Sequence, residues 1–253
     1  MSNAPEATVP FGFRDVPESH KDRLVRDVFS SVAPRYDLMN DLMSGGVHRL
    51  WKDAMVDWLN PQPRWHILDV AGGTGDIAFR LSERTSTGSV GADVLVCDVS
   101  IGMIAEGMRR AQEKGEERVR WILGDAEALP VADATMDAYT IAFGIRNVTH
   151  VERALAEARR VLKPGGRFLC LEFSRVEMAG FEVLYKHFSF TVLPTLGEWI
   201  AKDAESYRYL AESIRRFPAQ AAFAKMIEGA GLSRVRVRNM TGGIAALHSA
   251  WRI

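Results

Sequence analysis

Two cysteines in 253 residues are too few for a disulfide framework. Cys97 and Cys170 lie in "VLVCDV" and "FLCLEF", apolar runs that read as buried strands. They are expected to be structural thiols in a reducing compartment, not a bridge or a metal pair. Long uncharged apolar runs are also missing: none reaches the ~18 residues of a membrane span. The opening stretch "MSNAPEATVPFGFRDVPE" has no apolar signal core and carries acids that a transit peptide avoids. The cytoplasm is the expected location. An excess of either charge is absent too. Basic and acidic residues number 32 each, which argues against a nucleic-acid partner. Arg234, Arg236 and Arg238 form a row of period two, expected to be one solvated strand face. No internal repeat or low-complexity segment divides the chain, and its length is near the limit for one hydrophobic core. A single domain over residues 1–253 is expected.

Residues 1–20 mix proline, glycine and polar side chains and are expected to form a loose arm. Residues 21–60 carry a helical pattern broken at Pro34 and at Gly45-Gly46, and are expected to form an N-terminal helical cap. After Pro63, short apolar runs alternate with amphipathic stretches. The strands are "WHILDVA", "ADVLVCDV", "VRWILGDA", "MDAYTIAFG" and "GRFLCLEF"; the helices are Asp76–Glu83, Ile101–Lys114 and Val151–Leu162. This alternation predicts an α/β fold with a parallel sheet covered on both faces. Residues 176–216 interrupt the rhythm with a helical insertion. Phe181, Leu184, Tyr185, Phe188 and Val192 form its apolar stripe, which suits either core or a lid over a substrate. A helix over Ala219–Ala230 follows. "SRVRVRNM" and "GIAALHSAWRI" then read as closing strands, joined by Thr241-Gly242-Gly243 and hence antiparallel.

"ILDVAGGTGDIAFR", Ile67–Arg80, fits two cofactors. Gly73-x-Gly75-x-x-Ala78 satisfies the dinucleotide fingerprint. Asp69-x-Ala71-x-Gly73-x-Gly75 satisfies, with one alanine for glycine, the loop that holds S-adenosylmethionine (SAM). Either way the loop lies at the carboxyl end of a strand, where open α/β sheets bind ligands, and Asp98 ends the next strand, suited to ribose hydroxyls. The third strand discriminates. In "ILGDAEALP", Asp125 can accept from an adenine amine while the Ala126 N–H serves a ring nitrogen; the alternative is a turn or helix cap. Thr74 suits the amino-acid part of a ligand or the turn itself. Asp69 and Asp76 add negative charge, and no Lys or Arg lies within Val70–Phe79. That charge suits a sulfonium better than a pyrophosphate.

In order along the chain, "LDVAGGTGDIA", "CDVSIGMI", "GDAEALP", "FGIRNVTH" and "RVLKPGGRFLCLEFS" resemble a class I SAM-dependent methyltransferase. "VFSSVAPRYDLMNDLMSGGVHRLWK", "SYRYLAESIRRFPAQ" and "TGGIAALHSAWRI" narrow the resemblance to the ubiquinone/menaquinone biosynthesis C-methyltransferase family. It runs from about Asp22 to Ile253. It implies a Rossmann-like seven-stranded sheet with an antiparallel last strand, and methylation of a ring carbon on a polyprenylated benzoquinol, a demethylmenaquinol, or both. The cofactor residues it implies are Gly73, Thr74, Asp98, Asp125 and Ala126. Where the family often has serine in the fourth-strand motif, this chain has Ala142, so a hydroxyl contact is missing there. The substrate class further implies a meeting with the inner face of the membrane, and pairing as a homodimer or with other quinone-biosynthesis enzymes.

Methyl transfer to carbon needs an electron-rich ring, a dry site and a route for the departing proton. The resemblance favours Arg146 for the acid–base step. A guanidinium stays protonated, so its part would be to orient a water or stabilise a phenolate; the alternative is an arginine that pairs with a carboxylate to hold its loop. His187, Asp203, Tyr207 and His248 are given no role, and burial is expected for His248. Tyr36, Met39, Met43 and Trp51 are expected to close over the cofactor, on the strength of their family motif. Two other functions compete. A quinone oxidoreductase using NAD would need a loop suited to phosphate, and a non-catalytic scaffold would show damaged cofactor motifs.

Overall fold

The computed structural model describes residues 6–32, 41, 44–87, 90–176 and 204–253. A hairpin of β1 (Thr8–Phe11) and β2 (Arg14–Pro17) leads into α1 (Glu18–Val32), and α2 (His48–Leu59) follows. The alternating part runs β3 (His66–Val70), α3 (Asp76–Thr85), β4 (Asp93–Asp98), α4 (Ile101–Lys114), β5 (Val119–Leu123), β6 (Met136–Ala142), α5 (Val151–Val161) and β7 (Leu162–Phe173). The chain ends with α6 (Ala204–Arg216), α7 (Gln220–Gly229), β8 (Ser233–Met240) and β9 (Ala245–Trp251).

Seven strands form one sheet in the order β5-β4-β3-β6-β7-β9-β8, with β9 antiparallel to both neighbours. Along β3, Ile67 joins a core with α2 and α3, while Leu68 and Val70 join a second core with α5 and α7. This alternation explains why the central strands are apolar on both faces. From β3 the chain winds outward through β4 to β5 and then returns to β6 on the other side of β3. The reversal opens a crevice at the carboxyl ends of these strands. No helix among the described residues is long and apolar enough to cross a membrane.

Two expectations need correction. Residues 8–17 are not a loose arm. Phe11 stacks on Tyr209 at 4.2 Å between ring centres, the Phe13 N–H donates to Glu212, and Asp15 pairs with Arg216 at 2.9 Å. A four-residue strand is too short to be stable alone; this hairpin is held by α6, about 200 residues away. The helical cap starts at Glu18, and its α1 and α2 are as expected, although residues 33–40 and 42–43 lie outside the described part. Of the insertion, only α6 and the residues before 177 are described, so the Phe181–Val192 stripe, His187 and Asp203 fall outside it. Finally, the arginine row is broken. Arg234 has a φ of +54° in a bulge between Ser233 and Arg236, which removes it from the alternation. Arg236 and Arg238 stay exposed, and Arg238 stacks on Trp58 at 4.0 Å. Cys97 and Cys170 are buried free thiols, as expected.

Candidate functional site

Gly73 and Gly75 take φ values of +55° and +85°, a conformation glycine enters without steric cost. Ala71, which replaces a glycine of the motif, is nonetheless left-handed at +49°. The loop these residues form bounds a cavity of about 400 Å³, within the usual range for small-molecule sites. Its wall runs from Val70, Ala71 and Gly73 past Asp98 and Ser100, then past Asp125 and Ala126 to Phe143, Gly144 and Asn147. Asp98 is fixed at both oxygens: Oδ2 accepts from the Gly73 N–H at 2.9 Å and Oδ1 from the Ser100 N–H at 2.8 Å. Burial raises its pKa and these backbone donors oppose the rise. Each oxygen keeps a lone pair, so a vicinal diol can still donate to both. Ser100 in turn caps α4, accepting from the Met103 N–H.

Asp125 and Ala126 face the same cavity. Oδ1 of Asp125 accepts from the Glu127 N–H at 2.9 Å, the turn cap that was the alternative to a binding role. Glu127 is anchored by His150 at 2.8 Å. Thr74 behaves differently from Gly73. It is buried, its hydroxyl accepts from Arg110 at 3.4 Å, and it is absent from the cavity wall.

The charge around the loop differs in part from the expectation. Asp76 is neutralised by Lys52 at 2.7 Å and Arg80 at 3.0 Å, residues outside the Val70–Phe79 window, and its pKa is lowered despite burial. Asp69 is fully buried. Oδ1 accepts from the Thr140 hydroxyl at 2.7 Å, Oδ2 has no partner among the described residues, and burial pushes its pKa up to about 7. The carboxylates that line the cavity are Asp98, Asp125, Asp22 and Glu127.

Arg146 does not line the cavity. Its Nη1 lies 2.6 Å from both Glu172 and the Phe143 carbonyl, with the guanidinium and the carboxylate both buried. The loop-holding alternative describes this geometry. The neighbouring Asn147 lines the cavity instead. Trp51 is buried in the core against Phe143 and Phe173, its Nε1 donating to Thr241 at 2.9 Å, so it does not close over the cavity; Tyr36, Met39 and Met43 lie outside the described residues. His248 is buried, as expected, with Nε2 near the Gln220 carbonyl at 3.1 Å. Asp22, Val25 and Arg26 of α1 also line the cavity, which the sequence reading missed. Their i, i+3, i+4 spacing was the available sign.

The model of the ubiE/COQ5 methyltransferase family matches residues 15–252. The chain is 57% identical over 244 residues to the ubiquinone/menaquinone biosynthesis C-methyltransferase UbiE of Paracoccus denitrificans, covering 96% of each chain. It is 54% identical over 254 residues to the protein of the same name from Cereibacter sphaeroides, covering 100% of both. Among solved structures, a SAM-dependent methyltransferase from Aquifex aeolicus aligns with a TM-score of 0.58 at 18% identity, over 80% of this chain and 89% of that one. Haemonchus contortus phosphoethanolamine N-methyltransferase 2, in complex with S-adenosyl-L-methionine, aligns with a TM-score of 0.63 at 15% identity, over 94% of this chain and 62% of that one. The last two likenesses concern the fold.

Proposed function

We infer what the cavity does from one premise: the chain belongs to the ubiE/COQ5 methyltransferase family. It is a SAM-dependent C-methyltransferase of ubiquinone/menaquinone biosynthesis, acting on a ring carbon of a polyprenylated benzoquinol, a demethylmenaquinol, or both. The observation that carries the site assignment is the clamp on Asp98, whose carboxylate is aimed at the cavity by N–H groups from two loops. In this assignment Asp98 receives the ribose hydroxyls, Asp125 and Ala126 the adenine edge, and Gly73 lets the methionine end approach the backbone. Thr74 supports the loop through Arg110 and is not a direct contact.

When bound, SAM supplies an electrophilic methyl group on a cationic sulfur. The chain's part is to hold that centre in line with the ring carbon and to keep water away. Val70, Ala71, Phe143 and Val148 give the cavity an apolar wall suited to both tasks. Phenolate and sulfonium lose charge together as the bond forms, so a dry site favours the transition state over the separated ions. Arg146 acts in this scheme through Glu172 and Phe143, setting the turn that presents Asn147, and not as the base. The prenyl tail of the substrate favours encounter at a membrane surface, and sedimentation with lipid vesicles tests this.

Calorimetric titration tests the assignment. SAM is expected to bind and NADH not to bind. Asp98→Ala is expected to weaken SAM at least about 100-fold, given about 3 kcal/mol for two bonds to a carboxylate. Binding of NADH alone, or full SAM affinity in the folded variant, would overturn it. Methyl transfer from labelled SAM to short-tailed benzoquinol and naphthoquinol then separates the two ring classes.

A further inference from the structure

Asn147 ends a short 3-10 turn, Ile145–Asn147, and reaches the cavity beside Phe143 and Gly144. Two neighbours orient its amide. The Tyr209 hydroxyl is 3.1 Å from Oδ1, and the Phe143 carbonyl is 3.5 Å from Nδ2. Reversing the amide would set its oxygen against that carbonyl, acceptor facing acceptor, so the nitrogen belongs on the Phe143 side. The tyrosine must then donate. Burial pushes its pKa up to about 12, which keeps the proton on the phenol at neutral pH. Nδ2 has two hydrogens and only one can serve Phe143; the other remains for the cavity. Tyr209 is itself held in place, buried on α6 with its ring stacked on Phe11 of the N-terminal hairpin.

We propose that Tyr209 is a positioning residue for methyl transfer: it holds the Asn147 amide so that the free N–H meets a ring oxygen of the quinol. This rests on the C-methyltransferase reading above. A hydrogen bond to that oxygen favours its ionised form. The phenolate pushes electron density into the ring, the ring carbon forms a bond to the methyl, and the sulfur–methyl bond breaks onto sulfur. The proton on that ring carbon then leaves to solvent, which restores the aromatic ring as a phenolate, and the ring oxygen takes a proton back. The net change converts quinol and SAM into methylquinol, S-adenosylhomocysteine and one proton. Without the tyrosine hydroxyl the amide loses its anchor, and the donor no longer has one direction.

The test is a double-mutant cycle of Tyr209→Phe and Asn147→Ala on the full chain, with a short-tailed quinol and saturating SAM. Tyr209→Phe removes one oxygen and leaves the Phe11 stack. It is expected to lower kcat/KM for the quinol about tenfold at pH 7, with SAM affinity unchanged within twofold. The acidic limb of the pH profile is expected to move upward, so that part of the loss returns at pH 9. In the Asn147→Ala background the same change is expected to cost less than twofold. A purely structural tyrosine would lower the melting temperature without moving the pH profile, and its effect would multiply with that of Asn147→Ala. That multiplication, or full kcat/KM in Tyr209→Phe, overturns the inference and leaves the methyltransferase reading intact. A wild-type chain that binds SAM yet methylates neither quinol overturns both.

Discussion

Asp69 brings a carboxyl group into a place that disfavours its charge. It sits under the glycine loop, and a Cβ on Gly72 would lie 2.6 Å from its Oδ2, so the loop closes directly over it. The Thr140 hydroxyl and the charge of Lys52 do not offset burial, and the pKa rises from 3.8 to about 7. The sign follows from proton counts. Between about pH 4 and 7 the folded state holds a proton on Asp69 that the unfolded state has released, so stability falls as pH rises through this window and levels off above it. The size is at most about 4 kcal/mol, from roughly three units at 1.36 kcal/mol each. Asp98, whose pKa is also raised, contributes in the same direction, so the wild-type slope alone does not isolate Asp69. The difference between wild type and Asp69→Asn does. Urea unfolding of both without cofactor, from pH 4 to 8, is expected to show a steeper loss in the wild type, and parallel curves would sink the assignment.

At the scale of elements, the helices that face the cavity are set by small residues at close approaches. Helix α4 packs on β5 through Gly107, where an added Cβ would lie 2.7 Å from Trp121 Nε1 and 2.9 Å from its Cε2. Gly107→Ala gains about 1 kcal/mol in helix propensity, and forcing a methyl against the half-buried Trp121 indole costs about 1–3 kcal/mol. The expected net is destabilisation of about 1 kcal/mol, or about 2–4 °C in melting temperature for a chain of this size. Gly102→Ala is the control, because there the nearest atom is the Ser100 oxygen at 3.9 Å, and no loss is expected. Thermal melts of the two variants check the contrast. Strands and helices of the sheet were legible because local periodicity reports them: β3 to β7 and their helices stand within a residue or two of the apolar runs, apart from a shorter β5 and a longer β7. The β1–β2 hairpin was not legible, since its stabilising partners Tyr209, Glu212 and Arg216 come from the far end of the chain. The same limit explains the site. Asp98 ends β4 and Asp125 and Ala126 follow β5, so their place at the cavity was legible by position, whereas Lys52 beside Asp76 and Glu172 beside Arg146 are pairings across the fold.

Across the whole molecule, the cavity is shared between the sheet and α1, which packs Val25 into the core on one face. Asp22, Val25 and Arg26 bring α1 over the crevice. Three polar links fasten its start to the loop after β6: Lys21 Nζ to the Val148 carbonyl at 3.2 Å, the Thr149 hydroxyl to Asp22 at 3.1 Å, and His150 to Glu18 at 3.4 Å. Two of the links lie at exposed side chains and are each worth less than about 1 kcal/mol. Lys21 is buried, and desolvation lowers its pKa, so that link adds little net stability. Val25 is the apolar side chain that α1 adds to the core, with Leu24 and Val28 packed against it; with polar links this weak, α1 is expected to open more readily than the central strands and without unfolding the sheet. A ligand that touches both α1 and the strand ends stabilises the closed arrangement by RT ln(1 + [L]/Kd), about 2.7 kcal/mol at one hundred times Kd. Hydrogen exchange can separate local from global effects. Adding SAM is expected to slow exchange of the α1 amides from Lys21 to Val28 by up to about 100-fold, while β3 and β6 amides, already limited by slower opening, change less. Lys21→Met with His150→Ala is expected to speed α1 exchange in the free protein and to weaken SAM severalfold through faster release. Equal protection of α1 and the sheet on binding would mean that α1 opens only with the whole domain, and the cleft would then have no separate cover.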